Sequence, residues 1–292
     1  MMMCSAFYAP DDRYPGLFVC ILQALQELFS ENLEEKKMNN GLWNSVKDNV
    51  TFVVVSVSVA VALFAVAYLV EKLTKKKNGD EERILSTRKI AMIGVFAAIA
   101  MVLHIFDFPV PFAPPFYKLD FSEIPALIGA FAFGPVAGVM IEFCKILLKL
   151  LVKGTSTAFV GDLANFVIGC SFILPASIIY MVKKSKKSAL VASVTGTLIM
   201  TVFGTMFNAI YLLPAFSALY GMPLEAIVEM GTKINASINS VTTLVMFAVA
   251  PLNLLKGVSV SLVTMLVYKK LSPILKAGMA GQKRKATEEQ KA

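Results

Sequence analysis

Residues 122–152 read SEIPALIGAFAFGPVAGVMIEFCKILLKLLV, a run of 31 residues with Gly134-Pro135 near its middle. A run of that length suits either one long tilted helix or two short ones. Pro135 has no N–H to donate and disfavours helical geometry at Gly134, so the chain is expected to break there into a hairpin. Charge decides the same way. In a single crossing, the next apolar run, 158–182, would deliver Lys183, Lys184, Lys186 and Lys187 to the outer side. With a hairpin they land on the same side as the earlier basic cluster Lys72, Lys75, Lys76, Lys77, Arg83, Arg88 and Lys89, as the positive-inside rule requires. The first arm, 122–133, is short for a span and is expected to lean on neighbouring helices.

The flanking sequence repeats the pattern. Residues 50–70 carry no charge over 21 positions, enough to cross about 30 Å of hydrocarbon at roughly 1.5 Å per residue. Further apolar runs lie at 89–106, 158–182, 190–213 and 240–268, the last with an expected bend at Pro251. Residues 215–235, with Gly221-Met222-Pro223, read as an outer loop. The reading is all-α: seven crossings, with the N-terminus outside and the C-terminus cytoplasmic. Of the lysines and arginines beyond the first span, the outer loops hold only Lys118, Lys153 and Lys233. The expected organisation is an extension over 1–49, partly disordered, a helix at 50–70, a basic cytoplasmic linker at 71–88, a membrane domain at 89–275 and a basic tail at 276–292. Met38, followed by Asn39-Asn40-Gly41, offers an alternative beginning, which would make 1–37 dispensable.

Composition agrees with this class. The 292 residues are 57% hydrophobic and 16% charged, with a mean hydropathy of +0.68, against about 45–50% apolar and about 25% charged in soluble domains. The net charge of +8 falls in short clusters between apolar runs and not along one groove, which argues against nucleic acid as a partner. Four cysteines without C-x-x-C spacing give no zinc site or disulfide framework, and His104, the sole histidine, gives a metal centre or a Ser-His-Asp triad little to build on. There is no G-x-x-x-x-G-K-[ST], so the chain carries no P-loop ATPase motif of its own.

Ionisable and amide groups inside apolar runs are expensive unless they are paired or face a cavity, which makes them the functional candidates. Glu142, Lys145 and Lys149 lie on one helical face and read as an internal ion pair or as lysines snorkelling toward the outer surface. Asp162 and Asn165 lie near the start of their helix, where a carboxylate also suits the helix dipole. Asn208 stands alone in its run, and Asn253 and Lys256, three apart, share a face. Amides plus an ammonium among aromatic rings suit a neutral or anionic planar heterocycle rich in carbonyls. Gly94-x-x-x-Ala98 permits close helix approach. The stiff aromatic and proline segment 106–117 reads as a lid or as an interfacial loop.

Three blocks look familiar as a set: Phe108-Pro109-Val110-Pro111-Phe112-Ala113-Pro114-Pro115-Phe116, Leu119-Asp120-Phe121-Ser122-Glu123-Ile124-Pro125, and Phe133-Gly134-Pro135-Val136-Ala137-Gly138. They resemble the substrate-binding S component of energy-coupling-factor (ECF) vitamin transporters. Asn208 with Leu212-Leu213-Pro214, and the stretch 251–257, most resemble its riboflavin branch. The resemblance covers about 86–275. It implies a six-helix core, to which the 50–70 helix is an addition, and a prokaryotic plasma-membrane subunit that is not an enzyme. Such a subunit binds riboflavin from outside, as transported ligand and not cofactor. It then topples in the bilayer on a module of two ATPase subunits and one transmembrane coupling subunit. The candidate substrate-binding set is Asn208, Lys256, Asn253, Asp120, Tyr117, Asp162 and Asn165, and the resemblance implies that Asn208 and Lys256 hold the flavin ring. The docking pair for the partner is Gly94 and Ala98, a departure from the family's A-x-x-x-A. The residues themselves leave open another vitamin or flavin analogue, or an ion-coupled carrier working through Asp162 and Glu142. The topology is testable: a cysteine at position 185 should be protected from an impermeant outside reagent and one at 218 should react, the opposite pattern being incompatible with the hairpin.

Overall fold

The computed structural model describes residues 50–77, 83–155 and 159–289, so the expected extension over 1–49 lies outside the described residues. Helix α1 is Val50–Lys77 and α2 is Thr87–Ile105, capped by Ser86, whose hydroxyl accepts from the Lys89 N–H. The expected linker at 71–88 is therefore helical up to Lys77. A connector comes next, whose only pairing is between the two-residue strands β1 (Phe108–Pro109) and β2 (Lys118–Leu119), antiparallel. Then come α3 (Glu123–Phe133), α4 (Pro135–Lys153), α5 (Val160–Val182) and α6 (Lys186–Phe207).

After α6 the sequence-based reading needs correction. Residues 215–235 are mostly not loop: α7 (Leu213–Tyr220) and α8 (Leu224–Thr232) occupy most of them, separated by a turn at Gly221, whose φ is +61°. Pro214 in the first turn of α7 and Pro223 just before α8 are good helix starts, because neither position needs an N–H inside the helix. The last long element runs from α9 (Val241–Leu244) into α10 (Ala250–Glu289), so the expected tail at 276–292 continues the helix as far as Glu289. Five-residue π-helical turns occupy Asn208–Leu212, before α7, and Val245–Val249, between α9 and α10. The second lies just before Pro251, where a bend is expected.

Among the described residues, five helical stretches are long and apolar enough to cross a bilayer: Val57–Lys77, Thr87–Ile105, Val160–Val182, Lys186–Tyr220 and Val241–Tyr268. Helix α3 has 11 residues and is apolar but short, and α4 carries Glu142, Lys145, Lys149 and Lys153. The break between them is the expected one. Gly134 has φ +107°, a region that side chains disfavour, and the two arms fold back on each other. A Cβ on Gly138 would lie 2.7 Å from that of Ala130, and one on Gly129 would collide with the Ile141 side chain. Missing side chains thus let the short arm lie flat on the long one. The main core forms where α2, α3, α4, α5, α6 and α10 meet, and a second one gathers the connector, α7, α8 and α9 at one end of the bundle.

Helix α1 packs on α4 and α5 through Ala67, Leu63 and Phe64, the last meeting Phe143 edge-on at 5.6 Å. Its polar contact lies at the hairpin. Glu71, fully buried, accepts the Val136 N–H at 3.0 Å, and a Cβ on Gly134 would fall 2.7 Å from its carboxylate. An anion there satisfies a donor in the first turn of α4 and suits its dipole. Glu71→Leu should therefore cost about 0.5–2 kcal/mol, the usual loss of an N-cap. Glu71→Gln, which keeps an acceptor, should fall between. Thermal unfolding in detergent followed by circular dichroism measures both, and equal melting of all three proteins would remove the cap from the account.

Candidate functional site

A cavity of about 230 Å³ opens between the connector, the start of α5, the π turn after α6 and the start of α10. Asn208, Lys256, Asn253, Asp120, Tyr117, Asp162 and Asn165 all line it. Local structure explains how they converge. Asp162 and Asn165 stand three apart in the first turns of α5, and Asn253 and Lys256 stand three apart on α10. Asn208 opens a π turn, which adds a residue to the helical register and re-aims the side chains beyond it. Tyr117 and Asp120 are carried in by the connector. Gly94 and Ala98 lie elsewhere, on an exposed stripe of α2.

Electrostatically the cavity rests on a buried chain of alternating charges. The Lys256 ammonium donates to Asp120 Oδ2 at 3.1 Å and lies 2.8 Å from Glu123 Oε1. Glu123 Oε1 is also 3.6 Å from Lys145, which donates to Glu142 Oε2 at 2.6 Å and to the Ser122 hydroxyl at 2.9 Å. At the other end His104 Nδ1 is 3.4 Å from Asp120 Oδ2. Asp120 Oδ1 accepts the Ser122 N–H, which ties the carboxylate to the start of α3. Burial alone would raise the Asp120 carboxyl, but the Lys256 ammonium and the His104 ring outweigh it and hold it well below the usual carboxylate range. Burial pushes the Tyr117 phenol up from its ordinary value, so its hydroxyl keeps its proton.

Lys149 does not simply snorkel, as one reading of the sequence allows. Its ammonium donates to Asp162 Oδ1 at 2.7 Å, the Thr155 hydroxyl donates to Asp162 Oδ2, also at 2.7 Å, and both Lys149 and Asp162 face the cavity. Asp107, paired with Lys118 at 3.1 Å and with Lys153 at 3.7 Å, completes the polar rim.

The amides have capacity to spare. Tyr117 donates to Asn208 Oδ1 at 2.9 Å, and Asn208 Nδ2 donates to the Gly204 carbonyl at 2.7 Å. Asn165 Oδ1 and Asn253 Nδ2 are buried without a hydrogen-bond partner, an acceptor and a donor bordering the same cavity. Buried polar atoms are normally satisfied, and unpaired ones lining a cavity are what a bound polar molecule would complete. Phe116, packed on Phe216 at 5.8 Å, supplies an apolar wall. Sequence reasoning missed His104, Glu123, Phe116 and Phe216 at this place. Glu123 had a readable signal, a carboxylate at the head of an apolar run, but nothing local tells which lysine it meets.

The family model described as "ECF transporter, substrate-specific component" matches residues 88–268. The "Riboflavin transporter RibU" of Staphylococcus aureus (strain TCH60) is 34% identical over 189 residues, 65% of this chain and 93% of that protein. The "Riboflavin transporter FmnP" of Bacillus subtilis (strain 168) is 30% identical over 190 residues, 65% of this chain and 94% of its own. A solved structure described as "Structure and mechanism of the S component of a bacterial ECF transporter" superposes with a TM-score of 0.51 at 36% identity, covering 65% of this chain and 98% of that one. Helix α1 lies outside the residues that the family model matches.

The charge chain yields its own prediction. Removing one partner of a buried ion pair leaves an uncompensated charge, so Lys145→Met should destabilise the protein by about 3–5 kcal/mol. Adding Glu142→Leu should recover part of that loss, because the two changes couple. Chemical denaturation of the single and double variants measures the coupling, and strictly additive losses would show that the pair does not act together.

Proposed function

The chain belongs to the substrate-specific components of ECF transporters, a multi-pass membrane family of substrate-binding transport subunits and not of enzymes, and we propose that its substrate is riboflavin. The observation that carries this is the cavity wall itself: amide donors and acceptors with capacity to spare, an ammonium and aromatic surface, all within the residues 88–268 that the family model matches, in a chain whose relatives named above are riboflavin transporters. A flavin ring offers an imide edge of N–H between two carbonyls, which amides recognise in both directions and an ammonium recognises by donation. Asn208, Asn253 and Lys256 are the ring's polar anchors, Asp120 orients Lys256, and Tyr117, Asp162 and Asn165 complete the polar lining.

In the same reading, α2 to α10 form a six-helix core in which the α3–α4 hairpin supplies two short crossings, and α1 is an added transmembrane helix. The N-terminus is outside and the C-terminus cytoplasmic. Uptake draws on ATP hydrolysed by two partner ATPase subunits, joined through a transmembrane coupling subunit that docks on the Gly94 and Ala98 stripe. The exposure of that stripe supports this, since α1 packs on α4 and α5 and leaves it uncovered.

Riboflavin fluorescence should be quenched on titration with the purified chain. Losing a neutral hydrogen bond costs about 0.5–1.5 kcal/mol and losing a charged donor roughly 1.5–3. Lys256→Ala should therefore weaken binding more than Asn208→Ala, by a factor on the order of ten at about 1.4 kcal/mol per decade. Absence of quenching by the parent chain, or variants that bind like it, would sink this assignment.

A further inference from the structure

A primary amide has two N–H donors and two lone pairs, and its use depends on which end faces the ligand. For Asn208 two contacts decide this. The Gly204 carbonyl, which only accepts, takes one N–H of Nδ2 at 2.7 Å and so identifies the nitrogen end. The Tyr117 hydroxyl donates to the other end at 2.9 Å. One N–H and one lone pair remain to serve the cavity that Asn208 lines.

Gly204 does a second thing. A Cβ built on it would lie 2.6 Å from Asn253 Nδ2, so the second amide rests against its bare Cα. That nitrogen is buried, unpartnered and borders the cavity. Amides from the π turn after α6 and from α10 thus share one backbone residue, one held by its carbonyl and the other admitted by its missing side chain. Tyr117 reaches its place on the connector, three residues before Asp120, which Lys256 holds at 3.1 Å.

We propose that Tyr117 and Gly204 are positioning residues that hold the Asn208 amide at both ends and leave room for the Asn253 amide beside it, and so make the site selective for a ligand edge carrying an N–H between carbonyls. This rests on the riboflavin reading above and adds the source of its selectivity. The Gly204 carbonyl fixes the nitrogen end of the Asn208 amide, and Tyr117 acts through Asn208 by donating to the oxygen end, so that the amide is held at both ends. Without that hydroxyl the amide is held at its nitrogen end alone and can swing to relieve an unpaired edge, so a ligand lacking the N–H is penalised less.

The experiment compares riboflavin with N3-methylriboflavin, in which a methyl group replaces the imide proton. Fluorescence titration of the full chain should show discrimination by the parent of about a hundredfold, the size expected when a buried amide is left unpaired. Tyr117→Phe, which keeps the ring, should reduce that ratio to below about tenfold. Gly204→Ala should weaken riboflavin binding at least about tenfold, and adding Asn253→Ala, which removes the obstructed amide, should return affinity to that of Asn253→Ala alone. A parent that binds no riboflavin overturns this inference together with the reading beneath it. A parent that discriminates alongside a Tyr117→Phe variant that discriminates equally overturns this inference alone. So does a Gly204→Ala loss that persists in the Asn253→Ala background.

Discussion

Lys256 sits between two carboxylates, 3.1 Å from Asp120 and 2.8 Å from Glu123, and the arrangement of the bundle around the cavity depends on that contact. An ammonium in an apolar helix is costly unless paired. Its partners come from the connector and from the head of the short helix α3, so satisfying one lysine of α10 fixes where both must stop. Lys145 extends the constraint to α4 by reaching Glu123 and Glu142. Three carboxylates thus share two ammoniums, with the His104 ring beside Asp120. Ion networks of this kind are poor evidence for stability but well suited to specifying geometry, because every misplacement strands a charge.

The network also explains how a stiff proline-rich connector contributes to a site. Residues 107–121 have almost no regular structure of their own, so side-chain contacts to the helices around them hold them. Asp120 is held by Lys256 and by the Ser122 N–H, and Tyr117 is held by Asn208. Phe116, beside Tyr117, packs on Phe216 of α7. Two of the elements that hold the connector, Asn208 and α7, owe their placement to a helix that changes register, the π turn after α6. A continuous α-helix would turn these side chains to other faces.

Glycine plays a complementary part where elements approach closely. Gly134 allows the hairpin to turn and leaves space for Glu71, Gly169 makes room for the Glu142 carboxylate, and Gly204 makes room for Asn253. At each of these places a charged or amide group occupies the volume that a Cβ would take. Missing side chains thus let polar groups lie deep inside a bundle whose outer faces on α1, α2 and α6 are apolar and exposed.

Much of this was legible in the sequence by local rules. Uninterrupted apolar runs imply helices, because a backbone in hydrocarbon has to satisfy its own hydrogen bonds. Pro135 after Gly134 marks the break, because proline removes a donor. The spacing of Asn253 and Lys256 puts them on one face, because the helical period is fixed. A lysine inside an apolar run announces that it needs a partner, but not which one. Only the tertiary structure decided that Lys256 meets Asp120 and Glu123, that Lys149 turns inward to Asp162, and that Glu71 of α1 caps α4. The folding of residues 215–235 into α7 and α8 was likewise hidden, since Gly221-Met222-Pro223 reads as a turn whether helices or loop surround it. Partners far apart in sequence are chosen by how helices pack, and that packing depends on volumes and charges across the whole bundle rather than on any local period.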